Sequence, residues 1–178
     1  HDSEERFRSL GVNVIREYGQ FVNETTVAAG AYEIQPRRIV IATGVHTPVP
    51  DISGLLDVQY YTNQTIFDLT KKPEHLLVLG GGPVGVELAQ AFARLGVNVT
   101  VFEKRKLLSN FSHEQVEILR VSLVEDGVSL KEDTCVNNIS KVGGKLVVQL
   151  TNDDKITGSH LLVATGKKPN LQNLNIQA

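Results

Sequence analysis

Three glycines and one acid are the residues of this chain whose types and spacing could do chemistry. They lie in LLVLGGGPVGVELAQAFARLGVNVTVFE, residues 76–103, as Gly80-x-Gly82-x-x-Gly85 and Glu103. The glycine pattern alone is weak, and its place between a strand and a helix gives it weight. Gly80 allows the tight turn out of the strand, Gly82 lets a diphosphate approach the backbone, and Gly85 lets the helix lie close on the strand. Gly81, Pro83 and Val84 complete the loop, whose free N–H groups and positive helix end face the phosphates. The same skeleton could begin a triphosphate-binding loop, but Val86 and Glu87 stand where that motif needs Lys and Ser/Thr.

Glu103 ends the second apolar strand, where a carboxylate can accept both hydroxyls of an adenine ribose. Bonds of that kind to a charged acceptor contribute roughly 1.5–3 kcal/mol each. The same charge repels a 2′-phosphate, so Glu103 favours NAD over NADP. Lys104, Arg105 and Lys106 follow at once. They are either a solvated turn or a cation cluster able to accommodate that phosphate.

The elements that must position these groups can be read from periodicity. Residues 76–79 form a continuous apolar run, as in a parallel strand buried on both faces. Val84, Leu88, Ala91, Phe92 and Leu95 make one apolar helical stripe, opened by Pro83 and closed by Gly96. VNVTVF is the second strand. Ser112 with Gln115 reads as a capping box for a helix running to about Glu125, with Gly127 closing it. A strand follows at VSLKE, then three or four more over 134–164, with a hairpin signal at Gly143–Gly144. Before the glycine loop, residues 1–9 suit a helix end. Strands are expected at 11–18, around TTVAA and at 37–42, and an extended connection at 46–58, with a helical piece near Asn63–Leu69. RRIVIATGVHTP (37–48) and GSHLLVATGKKP (158–169) echo one another on either side of this unit.

With 178 residues, 41% apolar and 21% charged, the chain has the composition of a globular protein, with room for one domain or one plus part of another. A net charge of −2 argues against a nucleic-acid binder. No apolar run is long enough to span a bilayer and no signal pattern is present, so no membrane role is expected and the location is read as cytoplasmic. The single cysteine, Cys135, excludes an internal disulfide, and no metal site is expected. Its strand-like setting, TCVNNI, predicts a small buried residue. None of the five histidines falls in a catalytic context; His46 and His160 read as loop or strand-edge residues. The absence of methionine reads as a processed chain or an excised fragment.

Three stretches together resemble the pyridine nucleotide-disulfide oxidoreductases, flavoenzymes such as lipoamide dehydrogenase, glutathione reductase and mercuric reductase. They are RRIVIATGVHTPVPDISG (37–54), LLVLGGGPVGVELAQAFARLGVNVTVFEK (76–104) and LLVATGKKPN (161–170). The resemblance implies an α/β fold: a Rossmann-like nucleotide-binding domain, with a parallel sheet, helices and an antiparallel β-meander, flanked by partial flavin-domain strands. It implies a partial FAD-binding domain over 1–45, an NAD(H)-binding domain over 46–165, and a return to the FAD-binding domain over 166–178. Gly166 then lets the backbone approach the bound nucleotide. Glu87 matches a family glutamate that reaches toward the flavin; read without the family, it is an exposed first-turn acid favoured by the helix dipole.

The family's flavin-binding glycine motif, its redox Cys pair and its C-terminal dimerisation domain are not in this sequence, and Lys167 stands where Arg is usual. The expected role is therefore the NAD(H)-binding portion of an FAD-dependent oxidoreductase, homodimeric when intact. This portion holds no catalytic residue beyond a flavin-side or nicotinamide-side role for Glu87. The alternatives are a flavoprotein reductase without a redox disulfide, of the NADH oxidase or ferredoxin reductase type, and a non-catalytic dinucleotide-binding module.

Overall fold

The computed structural model describes residues 3–177 and divides into two compact units, His1–His46 with Pro169–Ala178, and Thr47–Lys168. In the first unit, α1 (Glu4–Ser9) is capped by Ser3, whose Oγ accepts from the Arg6 N–H at 3.3 Å. Strands β1 (Gly19–Asn23), β2 (Thr26–Ala29) and β3 (Tyr32–Ile34) form an antiparallel meander. Asn23 turns the first corner by accepting the Thr25 N–H on its side chain at 2.9 Å, and Gly30 turns the second at φ +60°. A two-residue strand, β4 (Val45–His46), completes the order. Asn170 binds the stretch before it: its N–H donates to the Gly44 carbonyl at 3.0 Å and its Nδ2 to the Thr43 carbonyl at 3.1 Å.

The strands expected at 11–18 and 37–42 do not form. A strand exists only through hydrogen bonds to a neighbour, and among the described residues nothing pairs with either segment. Ile39, Val40 and Ile41 are correspondingly 39%, 87% and 47% exposed. Among the described residues of this unit, Thr26 and Ala29 alone are buried.

The second unit follows the expected alternation. Strands β5 (His75–Leu79), β6 (Asn98–Phe102) and β7 (Val128–Lys131) alternate with α2 (Pro83–Arg94) and α3 (His113–Glu125). An antiparallel meander of β8 (Val136–Val142), β9 (Lys145–Leu150) and β10 (Lys155–Gly158) then leads to β11 (His160–Val163). The parallel sheet has the order β11-β5-β6-β7. Strand β5 shows why its run is apolar throughout: Leu76 and Val78 join one core with α2 and α3, while Leu77 and Leu79 join a second with the meander. The unit is thus three layers: helices, parallel sheet, antiparallel sheet.

Helix α2 closes with Gly96 at φ +77°, its N–H on the Ala93 carbonyl at 2.8 Å. Gly143 and Gly144, at φ +58° and +83°, make the two-residue β8–β9 turn. The helical piece near Asn63–Leu69 is a single 3₁₀ turn, Ile66–Asp68. Two local expectations fail. Ser112 precedes α3 but its side chain makes no capping bond, so the capping box is not formed at this exposed helix start. Cys135 is exposed, not buried. It precedes β8, and the alternation turns Val136 inward and Cys135 outward, one residue out of phase with the reading from sequence.

Candidate functional site

Strands β5, β6 and β11 run parallel and end at one edge, which brings Gly80, Glu103 and Ala164 together. The Gly80 N–H donates to the Phe102 carbonyl at 2.9 Å and the Ala164 N–H to the Leu79 carbonyl at 2.8 Å. A cavity of about 400 Å³ opens there, walled by residues 80–84, 103–106, 108–111 and 164–167, with Thr47 and Asn63. Ligands of open α/β sheets bind at this edge, beyond the carboxyl ends of the strands.

Gly80 and Gly85 take the places in the turn that the spacing suggests. Gly80 turns at φ +108°, and a Cβ there would stand 2.5 Å from the Ala164 carbonyl oxygen. A Cβ on Gly85 would strike the Gly80 carbonyl oxygen, so this glycine lets α2 lie against the strand end. A Cβ on Gly81 would meet the Leu107 side chain. Gly82 differs: its φ of −78° suits any residue, and a Cβ there would meet nothing within 4 Å. It therefore needs no glycine for the fold, and the open space beside it is where an anion could reach the backbone. Pro83 opens α2, no side chain caps it, and its first internal bond is Val86 N–H to Gly82 carbonyl at 3.0 Å. The N–H groups ahead of that bond face the cavity edge with the positive end of the helix.

Glu103 is partly buried and already engaged. Its Oε2 accepts the Gly81 N–H at 2.7 Å and its Oε1 the Arg105 N–H at 3.0 Å. The carboxylate thus ties the glycine loop to the end of β6. Half of its roughly four acceptor positions remain for a diol. Lys104, Arg105 and Lys106 are exposed; Lys106 pairs with Asp133, whereas Lys104, Arg105 and Lys167 have no ion pair among the described residues. The cavity wall is therefore cationic around one carboxylate. Gly166 lies on the opposite wall at φ +138° with open space at its Cβ position. Thr165, beside it, donates its hydroxyl to the Pro48 carbonyl at 3.1 Å.

Glu87 is exposed and lies outside the cavity wall, in the second turn of α2, whose first turn carries no acid. The first-turn dipole explanation for it therefore does not hold. Sequence reasoning missed residues 108–111, which carry no motif yet close one side of the cavity, and Glu132, which accepts the N–H of neighbouring Leu107, with its partner Arg120. No spacing signal marks any of these. No group of three or more metal-ligating side chains occurs among the described residues, and none of their helices is long and apolar enough to cross a membrane.

A parallel sheet with helices on one face, an antiparallel meander on the other and a glycine turn at the strand ends is a Rossmann-like α/β unit. The chain belongs to the pyridine nucleotide-disulphide oxidoreductase family, whose pattern matches residues 3–178. It is 34% identical over 170 residues to a mercuric reductase of Lysinibacillus sphaericus, covering 93% of this chain and 31% of that protein. It is 35% identical over 179 residues to a mercuric reductase of Bacillus cereus, covering 94% of this chain and 28% of that one. Among solved structures, it is similar to the HOCl-induced flavoprotein disulfide reductase RclA of Escherichia coli in its Cu(II) complex, at TM-score 0.81 and 28% identity, over 97% of this chain and 41% of that one. LpdA of Mycobacterium tuberculosis is similar at TM-score 0.79 and 27% identity, over 97% and 40%. The chain spans about a third of the length of the curated relatives it matches.

Proposed function

We propose that residues 46–165, with Gly166, form the NAD(H)-binding part of an FAD-dependent oxidoreductase. Residues 1–45 and 166–178 would then belong to its flavin-binding domain, and the intact protein would be a cytoplasmic homodimer. The division of the chain at Thr47 and Lys168 supports this assignment. The observation that carries it is the convergence of Gly82, Glu103 and Gly166 on one cavity. Open space beside Gly82, at an uncapped helix start, fits a diphosphate. Unused acceptor positions on Glu103 fit a ribose diol, and its charge favours NAD over NADP.

The reduced nicotinamide supplies a hydride when bound. This chain's residues bind and orient: the amides of the glycine loop fix the diphosphate, Glu103 fixes the adenosine end, and Gly166 lets the backbone approach. Glu87, exposed on α2, would serve on the flavin side of the nicotinamide.

The test is a calorimetric titration of the chain with NADH and NADPH. Glu103→Gln keeps an acceptor for a backbone N–H but loses the charge, whereas Glu103→Ala also strips Gly81 and Arg105 of their partner. Loss of one such charged contact corresponds to at least about tenfold weaker NADH binding in the Gln variant. NADPH binding as tight as NADH in the wild type refutes the cofactor choice. No saturable NADH binding by the folded chain refutes the site.

A further inference from the structure

The loop of residues 104–111 forms one wall of the nucleotide cavity, and behind it lies a second cavity of about 640 Å³. Leu107, only 2% exposed, and partly buried Leu108 pack against the core under the helices. Hydrogen bonds from their two consecutive amides add to that packing. The Leu107 N–H donates backward to Glu132 Oε1 at 2.6 Å, and the next amide, Leu108, donates forward to the Gly81 carbonyl at 3.0 Å. Leu108 itself takes a left-handed φ of +48°, unusual for a bulky residue. Such conformations persist only where their surroundings hold them.

Glu132 is held in turn by Arg120 of α3. The guanidinium meets both carboxylate oxygens, Nη2 to Oε1 at 3.0 Å and Nη1 to Oε2, while its Nε reaches Glu117 at 3.0 Å. The two side chains are 22% and 14% exposed, far less than the Lys106–Asp133 pair of the same loop at 66% and 61%. Shielded, two-pronged geometry of this kind fixes position in a way that an exposed pair does not.

We infer that Glu132 and Arg120 are positioning residues for nucleotide binding: they clamp Leu107 from behind, so that Leu108 can brace Gly81 and residues 108–111 keep the cavity wall in place. This inference rests on the NAD(H) reading. Neither residue touches the cavity that it shapes.

The experiment measures the NADH dissociation constant and the thermal midpoint for five forms of the full chain: wild type, Glu132→Gln, Glu132→Ala, Arg120→Ala and Arg94→Ala. Arg94 is the control, since it pairs with Asp126 between α2 and α3 at 2.9 Å, away from the cavity. Glu132→Ala, which strips Leu107 of its acceptor, is expected to weaken NADH binding roughly tenfold. Arg120→Ala should weaken it less, and Glu132→Gln, which keeps an acceptor for Leu107, should restore most of the affinity. Arg94→Ala should leave the dissociation constant unchanged whatever it does to the midpoint. Wild-type affinity in Glu132→Ala overturns the inference, as does a loss in Arg94→Ala equal to that in Glu132→Ala, which would reduce the effect to general destabilisation. Absence of NADH binding in the wild type refutes the NAD(H) reading itself, a separate result.

Discussion

The two units use the same residue types to different effect. In residues 47–168, Leu76, Leu77 and Val78 of β5 are fully buried, because the strand has a neighbour on each side and a layer on each face. In the other unit the comparable run Ile39-Val40-Ile41 has neither, and Val40 is 87% exposed. Apolar alternation therefore shows that a segment can be a strand, while burial depends on what lies beside it. The cavity at the strand ends is lined entirely by residues of the unit with two cores.

The largest expected consequence concerns backbone protection. Amides of β5 and β6 open only with their whole unit and should be protected from hydrogen exchange by on the order of 10³-fold or more. Those of 37–42 should exchange within about tenfold of an unprotected chain. Exchange resolved by mass spectrometry decides it. Uniform protection would mean that residues 37–42 find a partner, whether a second copy or another chain, and the contrast drawn here would collapse.

A smaller effect sharpens the contrast within the glycine loop. Gly85→Ala drives a methyl into the Gly80 carbonyl oxygen, so overpacking should cost about 1–3 kcal/mol of stability. Gly82→Ala adds a methyl to open space at an ordinary φ and should cost less than about 1 kcal/mol as a helix N-cap change. Binding reverses the ranking: Gly82→Ala fills the space proposed for the diphosphate and should abolish measurable NADH binding in a stable protein. Undiminished binding in that variant would place the diphosphate elsewhere.

What could be read from sequence follows the same division. The alternation of strand and helix over 76–131, the glycine turn and the place of Glu103 at the end of β6 were legible because local pattern and tertiary environment agree there. Residues 37–42 misled because pattern alone cannot supply a neighbour. Cys135 misled by one residue, since alternation gives a period but not its phase. The Ser112 capping box failed because Ser-x-x-Gln gives a spacing and not the capping hydrogen bond itself. Glu132 and Arg120 were invisible for another reason: their pairing joins residues twelve apart through the packing of α3 beside β7, and nothing in KEDT distinguishes the acid that clamps a loop from one that faces water.

The smallest effect tests the edge of the same sheet farthest from the cavity, where β5 and β11 begin. His75 places its Nε2 2.9 Å from the hydroxyl of buried Thr100, and its own N–H and carbonyl both bond the Ser159 hydroxyl at 3.0 Å. His160 stacks on Tyr61 with ring centroids 5.9 Å apart. Burial pushes both imidazoles below their ordinary value of 6.5; for His75 a backbone hydrogen bond at Thr157 and the charge of Glu74 oppose this in part. The folded unit therefore binds these protons less readily than the unfolded chain does. Stability from this source is complete above the unfolded value and is lost as pH falls below it. Urea midpoints followed from about pH 7.5 down to about 5.5 should decline, and His75→Gln should flatten part of the slope. NADH affinity measured in the folded range should not follow His75→Gln, because the ring lies at the opposite end of β5 from Gly80. A midpoint independent of pH would show that the histidines titrate alike in both states, and that this edge is as open to solvent as the segment at 37–42.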